Sequence, residues 1–353
     1  MRLVILSDIH VAKIWDKIDK IVPSQINYLN PNRIFKQTLK SIRDEDLLII
    51  NGDLIDYYDS NYFGSTQTNW NNFFEILNTF NGEKLLNLGN HDYRRLAYNF
   101  KIYDLQHVNI APKIFNKYAK KIGHTKFRFF KEIKSIKNNL RKFNPIPKKI
   151  DTLPLTKIWN NSEILLLNTE ADACNYLVNF LNPLNWKLIL SSHLCSQGLN
   201  KNNISKLNET LTNNLDKELL IFLHCPPFLS DKAIPKVKLN KKNYRKTLRS
   251  NGLDYSMFLK NNWNFIDAIL KSNRNITLIT SHSHIAKQYI IDKQNGTLKD
   301  TNIQKINEHR SNERYIKIVS TYPLGSTKPT KKIGYLTITN SQINYHLIQD
   351  YSN

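Results

Sequence analysis

Leu88-Gly89-Asn90-His91-Asp92-Tyr93-Arg94 is the most informative stretch of this chain. It places an amide oxygen, an imidazole and a carboxylate on three successive residues, directly after the apolar run 85–88. Open α/β sheets bind ligands in the crevice at the carboxyl ends of their parallel strands. The stretch therefore predicts a buried parallel strand whose end opens into a polar crevice.

Four other apolar runs end in polar side chains in the same manner, and apolar residues at helical spacing separate several of the runs, as at 34–42 and 70–77. This alternation predicts an α/β arrangement, and four further strands near 288–291, 315–319, 333–339 and 343–348 add an α+β character. The residues that follow the four runs are Asp8 and His10 after 3–6, Asp53 after 47–50, His224 after 219–223, and His282 with His284 after 276–279.

The net charge of +22 is concentrated in two segments of the 353-residue chain. Residues 112–150 hold 13 Lys/Arg and one acid, and residues 232–249 hold 8 Lys/Arg and no acid, so the two segments carry +20 of the +22. A compositional bias would spread the charge along the chain. The concentration instead favours a local anionic partner.

Residues 100–150 interrupt the alternation of strands and helices. Two amphipathic patterns, around 114–122 and 133–143, predict a basic helical hairpin inserted into a single domain spanning 1–353. The hairpin is interpreted as a lid that gathers a polyanionic substrate, a solvated face, or a contact for an anionic membrane or a partner. Residues 232–249 are predicted to form a second basic loop near the site, because they follow His224 closely.

The remaining bulk features favour a cytoplasmic protein. Residues 1–7 form a short apolar strand that ends at Asp8 instead of a signal peptide, and no window approaches the roughly 20 apolar residues of a membrane span. The cysteines Cys174, Cys195 and Cys225 are odd in number and widely spaced, so they predict no disulfide framework. The sequence does not fix the oligomeric state.

Seven strand-end side chains offer a mixed set of carboxylate, imidazole and amide ligands. Such a set suits Mn, Fe, Zn or Ni, of which Mn is favoured, more than Ca or Mg. Seven ligands are too many for one ion, and a carboxylate that bridges two ions about 3.5–4 Å apart suits in-line attack on phosphorus. His91 is then available as a general acid. The predicted ligands are Asp8, His10, Asp53, Asn90, His224, His282 and His284.

The motifs together resemble the calcineurin-like metallophosphoesterase superfamily. They cover residues 8–284 and comprise Asp8-x-His10, Gly52-Asp53-x-x-Asp56, Gly89-Asn90-His91-Asp92, His224 and His282-x-His284. The resemblance implies a two-sheet β-sandwich flanked by helices, the four-layer metallophosphoesterase fold, with two divalent ions at the strand ends.

The resemblance also implies a role for each residue of the motifs. Asp8, His10 and His284 would bind one ion; Asn90, His224 and His282 would bind the other, and Asp53 would bridge them. His91 would face the phosphate, Asp56 would orient and polarise it, and Asp92 would lie behind the ligands. A metal-bound hydroxide would then attack phosphorus.

Three departures from the family's pattern narrow this interpretation. Ser281 stands where the family usually has glycine, which is tolerated unless the backbone there needs a positive φ. Asp92 and Tyr57 replace the glutamate and arginine of the protein Ser/Thr phosphatases, which counts against that branch. Arg94 and Arg95 are candidates for binding the phosphate.

The sequence therefore predicts a metal-dependent phosphoesterase that acts on an anionic phosphorylated substrate, a phosphomonoester or phosphodiester. A nuclease guided by the basic segments is the alternative, although few aromatic residues interleave with their charged faces. A scaffold without catalysis is disfavoured by the presence of His91 and Asp56. Binding to a membrane surface is a weaker expectation than binding to nucleic acid.

Overall fold

The computed structural model describes residues 1–18, 30–56, 66–93, 152–169, 198–213, 216–230, 232–253, 258, 261–325, 332–340 and 342–348. The predicted hairpin at 100–150 lies outside these residues, as do Arg94 and Arg95, and their predictions stay untested. Within the described part of the chain, no helix is long and apolar enough to cross a membrane.

The first sheet is built around the apolar runs nearest the start of the chain. It has the strand order β13-β12-β1-β2-β3, in which β1, β2 and β3 are parallel and the β12–β13 hairpin is antiparallel to β1. The strands are β1 (Leu3–Leu6), β2 (Leu47–Asn51), β3 (Lys84–Asn87), β12 (Ile333–Thr339) and β13 (Gln342–Ile348).

The second sheet has the order β4-β5-β6-β8-β11-β9-β10-β7. Strands β5, β6, β8 and β11 are parallel, and antiparallel strands extend the sheet on both sides. Its strands are β4 (Leu155–Trp159), β5 (Ser162–Leu167), β6 (Glu218–Leu223), β7 (Val237–Lys238), β8 (Ile276–Thr280), β9 (Gln288–Asp292), β10 (Thr297–Asp300) and β11 (Tyr315–Ser320).

Helices cover the outer faces of both sheets. The second helix starts with Pro31 at its first position, and Asn30 caps it by accepting hydrogen bonds from the backbone N–H groups of residues 32 and 33. The helices are α1 (Lys13–Ile18), α2 (Pro31–Lys40), α3 (Thr66–Leu77), α4 (Lys201–Thr212), α5 (Tyr244–Ser250), α6 (Asn262–Lys271) and α7 (Ile303–Glu308).

The core has two parts, because alternate residues of the second sheet face opposite sides. Leu166 and Phe222 pack in one cluster with the first sheet and helices α2 and α3. Leu165 and Ile221 pack in the other cluster with helices α4 and α6. The layers therefore run helix, sheet, sheet, helix, which confirms the predicted two-sheet sandwich.

Two local predictions need correction. The segment 232–249 is not only a loop, because it contributes β7 to the edge of the second sheet and forms α5. Its apolar residues alternate with lysines in the strand and then recur four apart in the helix, as in Tyr244 and Leu248, and all of them are buried. Strand β10 was also missed, because its sequence Thr-Leu-Lys-Asp has a single large apolar residue.

Candidate metal centre

The predicted ligands lie at one edge of the sandwich, where parallel strands of both sheets end. Asn51 and Asn87, the last residues of β2 and β3, donate hydrogen bonds across to the second sheet, to the carbonyls of Leu223 (2.8 Å) and Leu167 (3.1 Å) respectively. These bonds hold the carboxyl ends of the two sheets together. All seven predicted ligands lie within this junction, together with His91, Asp56 and Asp92.

The backbone that carries the ligands is strained. Eight non-glycine residues of the described chain have positive φ, and five of them are predicted ligands, a concentration that marks a functional site. Hydrogen bonds between the strand-end loops support this conformation, such as that from the N–H of His10 to the carbonyl of Asp53 (3.1 Å). The five residues are Asp8 (φ 49°), His10 (56°), Asp53 (50°), His282 (69°) and His284 (58°).

Two glycines allow the loops to approach the ligands closely. Gly52 has φ +90°, and a Cβ atom there would overlap the imidazole of His224. At Gly89 a Cβ atom would overlap the carboxylate of Asp53 and the ring of His224. Both glycines of the motifs are therefore required by space at the site, and Gly52 is also required by its backbone conformation.

One group of ligand atoms surrounds the end of β1. His284 Nε2 lies 3.4 Å from Asp8 Oδ1 and 3.4 Å from His10 Nε2. Together with Asp53, these residues each place a potential ligand atom within 4.8 Å of the others. Their arrangement can hold one metal ion.

A second group of ligand atoms lies around His224. Its Nε2 atom is 3.1 Å from Asn90 Oδ1, 3.3 Å from Asp53 Oδ1 and 3.3 Å from His282 Nδ1. Asp53 therefore lies between the two groups, in the position that a bridging carboxylate would need.

Asn51 orients His224, a role that the sequence motifs do not predict. Its carbonyl oxygen accepts a hydrogen bond from His224 Nδ1 (3.0 Å), which leaves Nε2 for a ligand. The Asn51 side chain donates to Ser281 Oγ (2.7 Å). Ser281 is buried and does not have a positive φ, so the serine in place of glycine is accommodated. A polar residue at the inward end of the apolar strand Leu47–Asn51 was the available signal.

His91 and Asp56 form a pair beside the ligand groups. His91 Nδ1 lies 3.2 Å from Asp56 Oδ1, and the His91 side chain is 13% exposed, so the ring can reach a bound molecule. Its backbone N–H donates to Asp53 Oδ1 (2.8 Å), which fixes the start of the 3₁₀ turn His91–Tyr93. This geometry lets Asp56 hold a proton on Nδ1 and leaves Nε2 to act on a substrate.

Asp92 braces the loops from behind. Its carboxylate accepts hydrogen bonds from the backbone N–H groups of Gly89 (2.8 Å), Leu54 (3.0 Å) and Ile55 (3.2 Å). Burial, together with the charge of Asp53, raises the pKa of Asp92 well above its usual value. Asp92 thus ties the Gly89 turn to the loop after β2 without facing the ligand groups.

The protonation states at the site suit metal binding. Burial would raise the pKa of Asp8, but the nearby His284 and His224 bring it down to about 2. Burial opposes ionisation of Asp53 too, yet His224 and His91 hold its pKa well below the usual range. Burial and His91 lower the pKa of His10 to about 4. Ionised carboxylates and a neutral imidazole are the forms that bind metals.

The arrangement fits a pair of divalent ions. The carbonyl of Asn51 can only accept a hydrogen bond, so the proton of His224 lies on Nδ1 and the lone pair of Nε2 faces the oxygens of Asn90 and Asp53. A cation placed among these acceptors would remove their mutual repulsion. His10 Nδ1 is buried and has no hydrogen-bond partner among the described residues. Mixed nitrogen and oxygen ligands suit a divalent transition metal.

Cys225 lies next to this site and is buried in the second core cluster. Its backbone N–H donates to Thr169 Oγ1 (3.2 Å). Its sulfur is also within 4.8 Å of potential ligand atoms of His224 and His282. The thiol therefore both packs in the core and borders the second ligand group.

Comparisons with known proteins agree with the motifs and the fold. The model of the calcineurin-like phosphoesterase family matches residues 1–286. A dimetal phosphatase from Danio rerio is structurally similar, with a TM-score of 0.53 and 10% identity over 96% of this chain and 91% of that chain. The structure of PhoD has a TM-score of 0.50 and 12% identity over 96% of this chain and 63% of that chain.

The structural matches concern the fold, since their identities are low, whereas the family match concerns the sequence itself. No curated protein matches the chain. The family match covers the five motifs and most of the chain, and the resemblance inferred from the motifs is thereby confirmed. The chain belongs to the calcineurin-like phosphoesterase family and is a metal-dependent hydrolase of phosphoric esters.

Proposed function

We propose that the site hydrolyses a phosphomonoester or phosphodiester of a small anionic molecule with two divalent ions bound. In this proposal Asp53 bridges the ions. Asp8, His10 and His284 complete one ligand group, and Asn90, His224 and His282 complete the other. Manganese is the favoured metal, and the cytoplasm is the proposed location.

One observation carries the proposal: His224 Nε2 faces the oxygens of Asn90 and Asp53 at 3.1 and 3.3 Å while Nδ1 is committed to the carbonyl of Asn51. When bound, the ions would supply a low-pKa water as nucleophile and would neutralise charge on the phosphoryl oxygens. The strand-end loops hold the ligands in place, so little reorganisation is needed when the ester binds.

His91 and Asp56 have the proton-transfer role in this proposal. Asp56 accepts a hydrogen bond from Nδ1 of His91 and so favours the ring orientation in which Nε2 faces the substrate. A protonated Nε2 would donate its proton to the leaving oxygen as the ester bond breaks. Arg94 and Arg95 remain proposed phosphate-binding residues on the strength of their position in the sequence.

The test compares Asp53→Asn with Asp267→Asn, a matched change at an exposed ion pair on α6. Each protein is prepared with Mn, Fe and Zn available, its metals are measured by elemental analysis, and its turnover of chromogenic mono- and diesters is followed. We expect the wild type and Asp267→Asn to hold two ions per chain and Asp53→Asn to lose metal and turnover together. A wild type without bound transition metal would contradict the proposal.

A nuclease is the second candidate, and the basic segments favour it. Residues 112–150 and 232–249 carry +20 of the net charge, which suits a nucleic-acid backbone. The interpretation of residues 100–150 as a lid remains a proposal. Deleting residues 112–145 should spare hydrolysis of a chromogenic diester and weaken binding of a polyanionic substrate.

A further inference from the structure

The segment 232–250 forms a basic face on the second sheet. Its apolar residues point inward: Val237 and Leu239 are buried on the strand side, and Tyr244 and Leu248 are buried on the helix side. The charged residues of its part 236–250 all point outward, and they define the basic face. They are Lys236, Lys238, Lys241, Lys242, Arg245, Lys246 and Arg249, each of them exposed.

A groove lies in the basic face between the start of α5 and the start of α6. Its volume is about 470 Å³, and none of the described residues in its lining is acidic. Four cations and a tryptophan dominate it. The lining comprises Lys241, Lys242, Asn243, Tyr244, Arg245, Lys246, Trp263 and Asn264. We call it the basic groove.

Trp263 gives the basic groove an aromatic surface. The indole is half-buried and packs edge-on against the ring of Tyr244, with centroids 5.1 Å apart. Tyr244 is fixed in turn by a hydrogen bond from its hydroxyl to Asn262 Oδ1 (2.7 Å). The basic segment alone lacks aromatic residues on its charged face, but the fold brings Trp263 beside it.

The lysines of the basic face are not paired as lysines on neighbouring helices are. Helix α6 pairs Lys271 with Asp267 (2.7 Å), and α4 pairs Lys206 with Glu209 (2.6 Å). None of the five lysines of the basic face forms an ion pair with a described residue. An anionic ligand would offset the positive charge of these lysines.

The start of helix α6, which borders the basic groove, lies at the edge of the sandwich that carries the metal centre. Helix α6 leads into β8, so its first residues lie where the parallel strands end. The side chain of Asn262 donates a hydrogen bond to the carbonyl of Pro227 (2.6 Å), and Pro227 is only three residues beyond His224. A chain-like substrate could therefore extend from the metal centre to the groove.

We propose that the basic groove binds single-stranded nucleic acid. Phosphates contact Lys241, Lys242 and Lys246, and a base stacks on Trp263, the combination typical of single-strand binding surfaces. The inference rests on phosphoesterase activity at the metal centre and favours the second candidate function, a nuclease, because it makes nucleic acid the class of substrate. Cations spread along a strand and a helix suit the repeated charge of a polymer more than a mononucleotide.

The chemistry of the basic face favours nucleic acid over a membrane surface. Membrane-surface segments carry exposed large apolar residues that insert among lipids. The exposed large apolar residues of the described chain are Met1, Ile158 and Leu347, and none belongs to the basic face. Trp263 lies half-buried in the concave groove beside Tyr244 and does not project from the surface as an inserting residue would.

Fluorescence anisotropy on the full-length, Mn-loaded chain tests the proposal. The probe is a labelled phosphorothioate oligothymidylate of about twelve nucleotides, within the usual range of site sizes. It keeps the charge and bases of DNA but resists hydrolysis. The lysine variant combines Lys241→Gln, Lys242→Gln and Lys246→Gln, and its control combines Lys36→Gln, Lys40→Gln and Lys305→Gln at exposed positions elsewhere.

The lysine variant should bind more weakly, and the magnitude of the negative slope of log affinity against log salt should decrease by about 2, since each lost phosphate contact removes about 0.7. The control should keep the wild-type slope. Trp263→Leu should weaken binding by about tenfold, and Trp263→Phe should retain most of the affinity, because a ring remains. Trp159→Leu, which removes another half-buried indole, should bind as the wild type does.

Equal affinities of the lysine variant and its control for the oligonucleotide would overturn the proposal. So would stronger binding of phosphatidylserine vesicles than of the oligonucleotide through these lysines, which would make the face a membrane contact. The probe cannot be cleaved, and turnover of the chromogenic diester is measured separately. Failure of binding with turnover intact therefore refutes the groove alone, and binding without metal-dependent turnover refutes the proposed function.

Discussion

The second sheet carries two buried groups of charged residues at its opposite edges, and they are satisfied in different ways. At the edge where the parallel strands begin, Arg274 Nη1 donates to Glu163 Oε2 (2.8 Å) and Arg310 Nε donates to Glu218 Oε1 (3.1 Å). Each of these two buried arginines has an acidic partner. The charges of this edge are balanced by the chain itself.

At the other edge, the metal centre contains groups that only accept hydrogen bonds and groups that can offer a lone pair to a metal ion. Asp8 and Asp53 are buried carboxylates without a lysine or arginine partner among the described residues, and histidines surround them. An isolated buried carboxylate is costly unless a cation accompanies it. Buried charge therefore marks a functional site where, as at this edge, the countercharge must come from outside the chain.

The amino-terminal edge also shows what burial does to a lone amine. Lys317 is fully buried in β11, and burial lowers its pKa to about 7. Its Nζ donates to the carbonyl of Arg310 (3.1 Å) and to the side chain of Asn275. Burial lowers the pKa of His10 in the same direction, but His10 lies among other groups that could bind a metal ion.

The largest predicted effect is on catalysis by His91. His91→Asn should lower turnover of a chromogenic phosphodiester by about 10²–10⁴, the range for a positioned general acid. The metal content should stay at the wild-type level, because His91 is not one of the seven proposed ligands, although its Nε2 lies 3.8 Å from Asp53 Oδ2. Turnover and elemental composition are measured on the same preparation.

His10→Asn is the matched control, because it makes the same chemical change within a proposed ligand group. It should lose metal as well as turnover. If both variants lose metal equally, His91 is a ligand and the division of roles is wrong. If His91→Asn keeps wild-type turnover, it has no part in proton transfer.

The second largest predicted effect is on stability and concerns the amino-terminal edge, where the parallel strands begin. Glu163→Gln leaves Arg274 buried without its countercharge, and the free energy of unfolding should fall by about 3–5 kcal/mol. Both side chains are under 7% exposed, so little water is available to replace the partner. The measurement is denaturant unfolding of the metal-loaded protein.

Asp267→Asn breaks the exposed pair with Lys271 and serves as the control. It should cost at most about 0.5 kcal/mol, as expected for a helix pair in water. Folded Glu163→Gln should still bind metal at the wild-type stoichiometry. A loss as small as that of the control would mean that the amino-terminal edge does not depend on its ion pair.

The metal centre could be predicted from the sequence because each ligand stands directly after a strong apolar run. Asn90 and His224 are far apart in the chain, but both follow buried strands, and parallel strands deliver their ends to one edge. The motif order added the division of roles. The sequence marks Asn51 only as a polar residue at the end of an apolar strand; its role in orienting His224 could not be predicted, since the contact is made by a backbone carbonyl.

The buried ion pair at the amino-terminal edge could not be predicted in the same way. Arg274 stands in the polar stretch Ser272-Asn273-Arg274-Asn275, which indicates an exposed turn. It is buried only because Glu163 arrives from a strand 111 residues earlier. The basic groove has the same origin, because Trp263 and Tyr244 meet through the fold and neither position signals the other. Contacts between residues that are far apart in the sequence could not be predicted here, because neither residue lies in a strong local pattern.

A smaller effect is expected when metal binding stabilises the folded protein. Adding Mn²⁺ at about 100 times its dissociation constant should stabilise the metal-free protein by about 2.7 kcal/mol for each independent site. Asp53→Asn should remove most of this gain, since it lies between the two ligand groups. Glu163→Gln should keep the gain while starting from a lower stability.

Thermal unfolding with and without the metal measures both variants. Equal stabilisation of Asp53→Asn and the wild type would contradict the assignment of Asp53 as a bridge. Loss of the metal effect in Glu163→Gln would show that the two edges are coupled.

The smallest effect concerns Ser281, which lies between the sheets and depends on neither ion pairs nor metal. Its hydroxyl lies 3.0 Å from the carbonyl of Asn51 and 2.7 Å from the Asn51 side-chain nitrogen. Ser281→Ala should lower the free energy of unfolding by about 0.5–1.5 kcal/mol, the net value of a buried hydrogen bond. Ser281→Gly, which restores the family's usual residue, should cost about 0.5–1 kcal/mol more through backbone entropy. Both should bind metal normally, and wild-type stability of the alanine variant would show that the hydroxyl does not join the sheets.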